Sequence, residues 1–548
     1  MLIHTAHIKL AGVLVFTAAF FTICVSGQSP TASPMYPDKT AVAARVTKPN
    51  DTEKDNKPAP QATPGSASDL EEQIAAVKAE NAAVREQLRK MDEQQKTLLE
   101  LVQKLEHNLD SSVSASGSTT ASAGAAGTSS LPTDPKGAAL PGQPVAAAEP
   151  QGGRYQDGII IWQTPDDAKV PFLLRFNNNT QVRFLNTQSS NSTFTDHLGV
   201  KRDVNRRNDI TVNRAMFILG GYIWDKRLKY SFTVWTSAGS NSIVVAGNIG
   251  WQFSKKLTIT GGYFGVPGSR SLVNSFPYFA AIDRSMADNF FRPAFTQGVE
   301  FKGDLTDNWH YVAMVGNGLN TLNISATKID ENLALSGSTW WEPLGAYAPA
   351  GKSVNMYDDY FSEKKVRIRL GTSFTRARED RFSNLDTASP ENVAIHNSDG
   401  VLTFATGAFA PGVTVQKATY KMWAGDWGLK YNGLSVNGQY YMRWLSDFEA
   451  DGPMPLTSTF DHGFEMSVGK FVIPKKLNLY VRGSMVFGQF RDSNEYGGGV
   501  KWHFLPTERL WFQAELMRVN RSPYGGTFTP YTAGLNGWVP MVQTVIGF

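Results

Sequence analysis

The sequence predicts an all-β transmembrane barrel of sixteen antiparallel strands, preceded by an α-helical coiled coil. Three observations carry the prediction. Short runs of alternating apolar and polar residues, split by Gly, Asn, Asp and Pro clusters, occupy the chain from Gly158 onward. The most apolar run lies at the N-terminus and has the form of an export signal. Between these parts stands a heptad repeat.

In chain order, residues 1–27 read as a signal peptide, with an apolar run from Leu10 to Val25 and small residues up to Gly27. A retained helical anchor and a lipoprotein signal at Cys24 are the alternatives; Ile23 fits the second poorly. Cleavage near Gly27 leaves no cysteine, which suits an exported protein without disulfides and excludes thiolate chemistry. Residues 28–68, rich in Pro, Ala, Thr, Ser and Lys, read as a disordered linker.

Residues 69–110 carry the coiled coil. Leu70, Val77, Val84, Met91, Leu98 and Leu105 recur every seven residues. Ile74, Asn81, Leu88, Gln95 and Val102 interleave with them to form one seam, the expected oligomerisation core. Asn81 and Gln95 are polar core positions that fix register at a cost in stability. A lone amphipathic helix packed on the barrel is the competing reading. Residues 111–153, rich in Ser, Ala, Gly and Pro, form a second linker.

Residues 154–548 read as the barrel. Leu174, Phe176, Val182 and Phe184 alternate with Arg175, Asn177, Asn179, Gln181 and Arg183. Val366, Ile368 and Leu370 alternate with Arg367 and Arg369; Met442 and Trp444 flank Arg443; Leu479 and Val481 flank Tyr480 and Arg482. By this parity Arg175, Arg183, Arg367, Arg369, Arg443 and Arg482 face the lumen. Trp427, Trp444, Phe471 and Tyr480 are expected in interface girdles. Fifteen runs are visible. Bacterial barrels have even strand numbers, so a sixteenth is expected between Val401 and Val415. Trp224–Arg227, Ile473–Lys475 and Leu505–Thr507 read as periplasmic turns, and Asn320–Ser362 as a long extracellular loop.

The segment from Lys256 to Gly303 is read as two strands around a loop that folds into the pore. Arg270, Asp283, Arg284, Asp288 and Arg292 are its constriction candidates. A surface loop held by local ion pairs is the alternative.

Charge is uneven. Met1–Gly153 hold 13 Lys+Arg against 16 Asp+Glu, and the remainder 40 against 33. A modestly basic barrel is compatible with small anions as cargo, and gives no reason to expect nucleic acid. Lys201-Arg202 and Arg206-Arg207 read as an exposed basic loop, with lipopolysaccharide phosphates as an equal alternative, and Asp358-Asp359 as a solvated loop. The chain has no nucleophile elbow, zincin helix or phosphate loop, so neither an enzyme nor a cofactor is expected.

Several pieces together resemble the phosphate-selective porin O and P family. They are Gly158-Ile159-Ile160-Ile161 leading into Phe172–Phe176 and Gln181–Phe184, Asn213-Arg214-Ala215 with Gly220-Gly221, and Gly262–Pro267 followed by Asp283-Arg284-Ser285 and Gln297-Gly298-Val299. The terminal Phe548 on an alternating strand is similar to the assembly signal of outer-membrane proteins. The resemblance implies a sixteen-stranded homotrimeric porin of the bacterial outer membrane with an inward third loop and small anions or hydrophilic solutes as cargo. A second reading is structural: the coiled coil ties the barrel to the cell wall.

Overall fold

The computed structural model describes residues 155, 158–237, 242–273, 279–321, 329, 332–349, 357–381 and 394–548. The expected signal peptide, both linkers and the coiled coil, with its seam from Leu70 to Leu105, lie outside the described residues.

The strands are β1 (Ile159–Gln163), β2 (Phe172–Asn186), β3 (Thr193–Thr195), β4 (Lys201–Asp203), β5 (Asn208–Ile223), β6 (Asp225–Ser237), β7 (Ser242–Ser254), β8 (Leu257–Gly265), β9 (Phe295–Thr306) and β10 (Trp309–Gly316). They continue as β11 (Ala334–Trp341), β12 (Arg367–Asp380), β13 (Val415–Tyr431), β14 (Leu434–Ala450), β15 (Ser458–Ile473), β16 (Leu477–Phe487), β17 (Ser493–Trp502), β18 (Leu510–Asn520) and β19 (Gly537–Gly547). Strand β2 and strands β5 to β19 pair antiparallel with their neighbours, and β19 returns to β2. The result is a closed barrel of sixteen strands with no free edge. β1 pairs with β2 over Leu173–Phe176, below the point where β19 ends. β3 and β4 form a separate hairpin in a connecting loop.

The polarity of the wall is inverted relative to a soluble sheet. On β16, Leu479 and Val481 are exposed on the outside, while Asn478, Tyr480, Arg482 and Ser484 are buried inside. Ile243, Val245, Phe374, Leu516 and Ile546 are likewise exposed outward. At one end of the barrel Trp224, Phe253, Trp309, Trp341, Tyr431, Trp502 and Phe504 form an exposed aromatic belt. Two residues expected in the girdles face the other way. Tyr480 donates to Glu515 at 3.0 Å, and Phe471 packs on Tyr360 inside the barrel. Both occupy inward positions of the alternation, which overrides the preference of aromatics for an interface.

The sixteenth strand is β11, not a run within Val401–Val415, which is loop apart from its final residue, where β13 begins. β11 alternates weakly. Its inward residues Ala334, Ser336 and Ser338 are small, and its outward face includes Gly337 and Thr339. This strand also corrects the reading of Asn320–Ser362 as one extracellular loop. Trp309 pairs with Trp341, so the chain leaves β11 at the same end as the two-residue turn 307–308. That end also carries the 224, 255–256, 432–433 and 474–476 turns and Phe548. β10 ends and β11 begins at the opposite end, with the long loops.

β5 contains a bulge. Gln181 pairs with Arg214 and Val182 with Val212, leaving Asn213 unopposed. The extra residue turns both Asn213 and Arg214 into the barrel, where they are buried.

Candidate pore and its inward loops

Between β8 and β9, residues 266–273 and 279–294 fold into the lumen. Among them α1 (Met286–Phe291) is capped by Ser285, whose side chain accepts from the Asp288 amide at 3.0 Å. Met286, Phe290 and Phe291 are buried against inward residues of the wall, including Met422, Tyr441, Leu445 and Val486. Each large apolar side chain so buried stabilises the loop by about 1.5–3 kcal/mol.

Polar contacts fix this loop to both sides of the barrel. Asp283 meets Arg183 at 3.0 Å and Arg214 at 3.2 Å. Arg482 donates to the Asp283 and Arg284 carbonyls at 3.0 and 3.1 Å. Arg443 donates to the Phe290 carbonyl at 2.9 Å, and Tyr441 to Asp288 at 3.0 Å. Glu515 accepts from the Ile282 amide, and Glu495 from the Met286 amide. All five loop residues singled out from the sequence, Arg270, Asp283, Arg284, Asp288 and Arg292, are buried inside the barrel. Arg284 reaches Ser271 at 3.1 Å and lies 3.6 Å from Asp288; Arg292 turns back on the Pro293 carbonyl.

A second segment enters from the opposite end. In residues 342–366, Tyr347, Tyr357, Asp358, Asp359 and Tyr360 are buried. Asp358 and Asp359 are therefore not the solvated pair expected. Asp358 is held by Lys501 at 2.7 Å, and Asp359 accepts from the Glu363 and Gly433 amides. Burial opposes ionisation of Asp358, but the Lys501 ammonium outweighs it and keeps the carboxyl below its ordinary range. The neighbouring His503 is pushed down to about 4 by burial and by Lys501. The two inward segments touch at Arg270, whose guanidinium lies 4.3 Å from the Tyr357 ring and donates to Asn437 at 3.0 Å.

The wall arginines fall into two groups. Arg183, Arg369, Arg443 and Arg482 point inward, and each meets a carboxylate: Asp283, Asp426 at 2.9 Å, Asp461 at 2.8 Å and Glu515 at 2.5 Å. Arg367 sits at the short-turn end, near Glu363 and the Leu344 carbonyl. Arg175 lines a cavity of about 970 Å³ on the other side of the barrel. In the exposed basic stretch, Arg202 pairs with Asp196 and Arg207 with Asp209.

That cavity runs along β2 and β5 to β10, and one cross-strand row crosses it, of which Arg175, Gly220, Ser231 and Asn248 line the cavity. Arg175 pairs with Gly220, Gly220 with Ser231, Ser231 with Asn248, Asn248 with Gly262, Gly262 with Gly298 and Gly298 with Gly316. Alternation places this row on the lumen side, so four of seven neighbouring inward positions carry no side chain. Gly262 also has φ +142°, which few other residues adopt. Five cations line the cavity, Arg175, Lys229, Lys255, Arg284 and Lys302, against Glu300 and Asp304. Glu300 is paired with Lys302 at 2.6 Å, and Asp304 with His310 at 2.6 Å.

Arg214, Lys229 and Glu515 are the functional positions that sequence parity missed. Arg214 had a signal: Ile210 and Val212 point outward at even positions, Phe217 at an odd one, which requires a bulge between them.

No family model matches the chain, and no curated protein matches it in sequence. Among solved structures the chain is similar to outer-membrane expressed OmpT of Vibrio cholerae, at 12% identity and TM-score 0.42, over 71% of this chain and 100% of that one. It is similar to OmpF of Salmonella typhi in complex with daunomycin, at 11% identity and TM-score 0.41, over 69% and 98%. It is also similar to an anion-selective porin from Comamonas acidovorans, at 9% identity and TM-score 0.37, over 68% and 98%.

Proposed function

We propose that the chain is a passive pore of the bacterial outer membrane for small hydrophilic solutes, with a mild preference for anions. The observation that carries this reading is a closed barrel, apolar outside and polar inside, in which a pinned inward loop leaves a cavity of about 970 Å³ along one wall. Only a closed barrel or a helix satisfies its backbone in lipid. The anion preference rests on five lining cations against two acids; Lys302 holds Glu300, His310 holds Asp304, and Arg284 lies beside Asp288, so Arg175, Lys229 and Lys255 carry the excess. Phosphate selectivity, implied by the family resemblance, finds less support. Five of the six wall arginines meet carboxylates and are not available to passing phosphate.

We further propose a homotrimer, with the seam from Leu70 to Leu105 as the core of a periplasmic coiled coil. The same seam supports the second reading, a tether to the cell wall. Removing residues 28–153 should spare conductance; a loosened envelope would then favour the tether, and an intact one would count against it.

The primary test is single-channel conductance of the purified full chain in planar bilayers, with the reversal potential measured in a salt gradient. Large ohmic steps with an anion-selective potential are expected. Absence of conductance from heat-modifiable protein would end the pore reading.

A further inference from the structure

The open wall is not uniformly polar. On the long-loop side of the glycine row, Met216 pairs across strands with Trp235, and Trp235 stands edge-on to Phe295 at 5.3 Å. All three line the cavity, as does Trp340. The wall cations lie on the other side of the row or within it, and Trp340 is on that other side. Arg175 is in the row, and Lys229 is six residues along β6 from Trp235, about 20 Å at strand rise.

The patch faces the lumen as well as packing. Met216 and Phe295 are only partly buried, and Trp235 behind them is more than nine-tenths buried. In a pore serving only inorganic ions, that patch is a liability, because an apolar wall does not replace lost hydration. A solute with a flat apolar face gains there, since aromatic rings stack on one another.

We propose that this half of the lumen is a path for ring-bearing organic anions. The ring rests on the Met216–Trp235–Phe295 patch, and the anionic group passes to Arg175 and then Lys229. The wall thus reads two features of one molecule in sequence along the axis. No covalent step is involved. The inference rests on the pore reading above and narrows its solute class.

The test uses the full chain in planar bilayers with potassium chloride as carrier and three probes. Benzoate has ring and charge, acetate has the charge alone, and benzyl alcohol has the ring alone. Benzoate should interrupt the current at roughly a tenth of the acetate concentration, the discrimination that about 1.4 kcal/mol supplies. Benzyl alcohol should be weaker than benzoate. Trp235→Ala should bring the benzoate-to-acetate ratio close to one. Trp235→Leu, which keeps the bulk, should do the same if the alanine variant fails to fold as judged by heat-modifiability. Equal block by benzoate and acetate, or no block by either from a conducting chain, would overturn this inference and leave the pore intact. Block by benzyl alcohol as strong as by benzoate would overturn the role of charge. No conductance at all would remove both readings together.

Discussion

The two sides of this barrel are built from the same alternating strands and differ in what fills their inward positions. On β5 to β10, glycine, serine and asparagine occupy a cross-strand row that begins at Arg175 of β2, and the lumen stays open. On β13 to β19, the inward positions carry Tyr420, Met422, Tyr441, Arg443, Arg482 and Met517, and the lumen is packed by the 266–294 loop and by Ile395, Val401 and Phe404. Strand number sets the circumference of a barrel, but the side chains on one arc decide whether that circumference encloses a passage. The packed arc, together with Arg183 of β2 and Arg214 of β5, holds the loop in place, and the bare arc is what it leaves.

That contrast can be broken most severely at the latch. Asp283→Ala leaves Arg183 and Arg214 buried without their common carboxylate, a loss of about 3–5 kcal/mol for a broken buried pair. The heat-modifiable form should convert at a lower temperature, and the current should become noisier as the loop loosens. Lys229→Gln on the open arc, where the side chain is exposed in the lumen, should stay within about 0.5 kcal/mol of the unaltered chain.

Filling each arc should give opposite signatures. Gly220→Phe puts a ring into the bare row, where the nearest atom to an added Cβ is the Tyr230 carbonyl oxygen at 3.3 Å. Conductance should fall by more than half with little change in stability. Met422→Phe on the packed arc should leave conductance unchanged and cost about 1–3 kcal/mol through overpacking. Equal effects of the two on conductance would mean that the passage does not follow the glycine row.

The charge of the bare arc should respond next. Arg175→Glu with Lys229→Glu changes a lining of five cations and two acids to three and four. The reversal potential should move toward cation selectivity, read in a salt gradient at low ionic strength, where screening is weakest.

The smallest effect concerns pH. His503 is neutral in the folded chain down to about pH 4, whereas an exposed imidazole protonates near 6.5. Between those values the opened state binds the extra proton, so the folded turn loses stability as pH falls through that window. The ring is surrounded by Tyr360, Phe471 and Trp511 and faces Lys501, Asp358 and Glu508. Hydrogen exchange of residues 357–366, corrected for intrinsic rate, should speed up from pH 7 to pH 4.5. His503→Phe should abolish most of the difference.

Much of the barrel was legible because a membrane wall forces a period of two, and fifteen of the sixteen strands announced themselves by it. β11 did not, because Gly337 and Thr339 dilute its outward face. Missing one strand has a consequence larger than its eight residues. Each antiparallel strand reverses the chain, so a single omission assigns the next connection to the wrong end. That is why 342–366 read as part of an extracellular loop. Inward parity of Arg183, Arg369, Arg443 and Arg482 was readable. Their partners were not, since Asp283 lies 100 positions from Arg183 and Glu515 lies 33 from Arg482. Barrel curvature, not local sequence, brings them together.

The seam where β19 meets β2 governs how such a chain can come into being. Gly547 pairs with Asn179, and Phe548 exchanges backbone hydrogen bonds with Asn178 at 3.1 Å in both directions. About 370 residues separate the two edges, so the pairing that completes the wall is also among the most distant in sequence. Until the last strand exists, β2 presents a bare edge that lipid will not accept and that another chain will. Distant pairings form slowly, and their intermediates aggregate. The wall is therefore complete only once β19 has found β2.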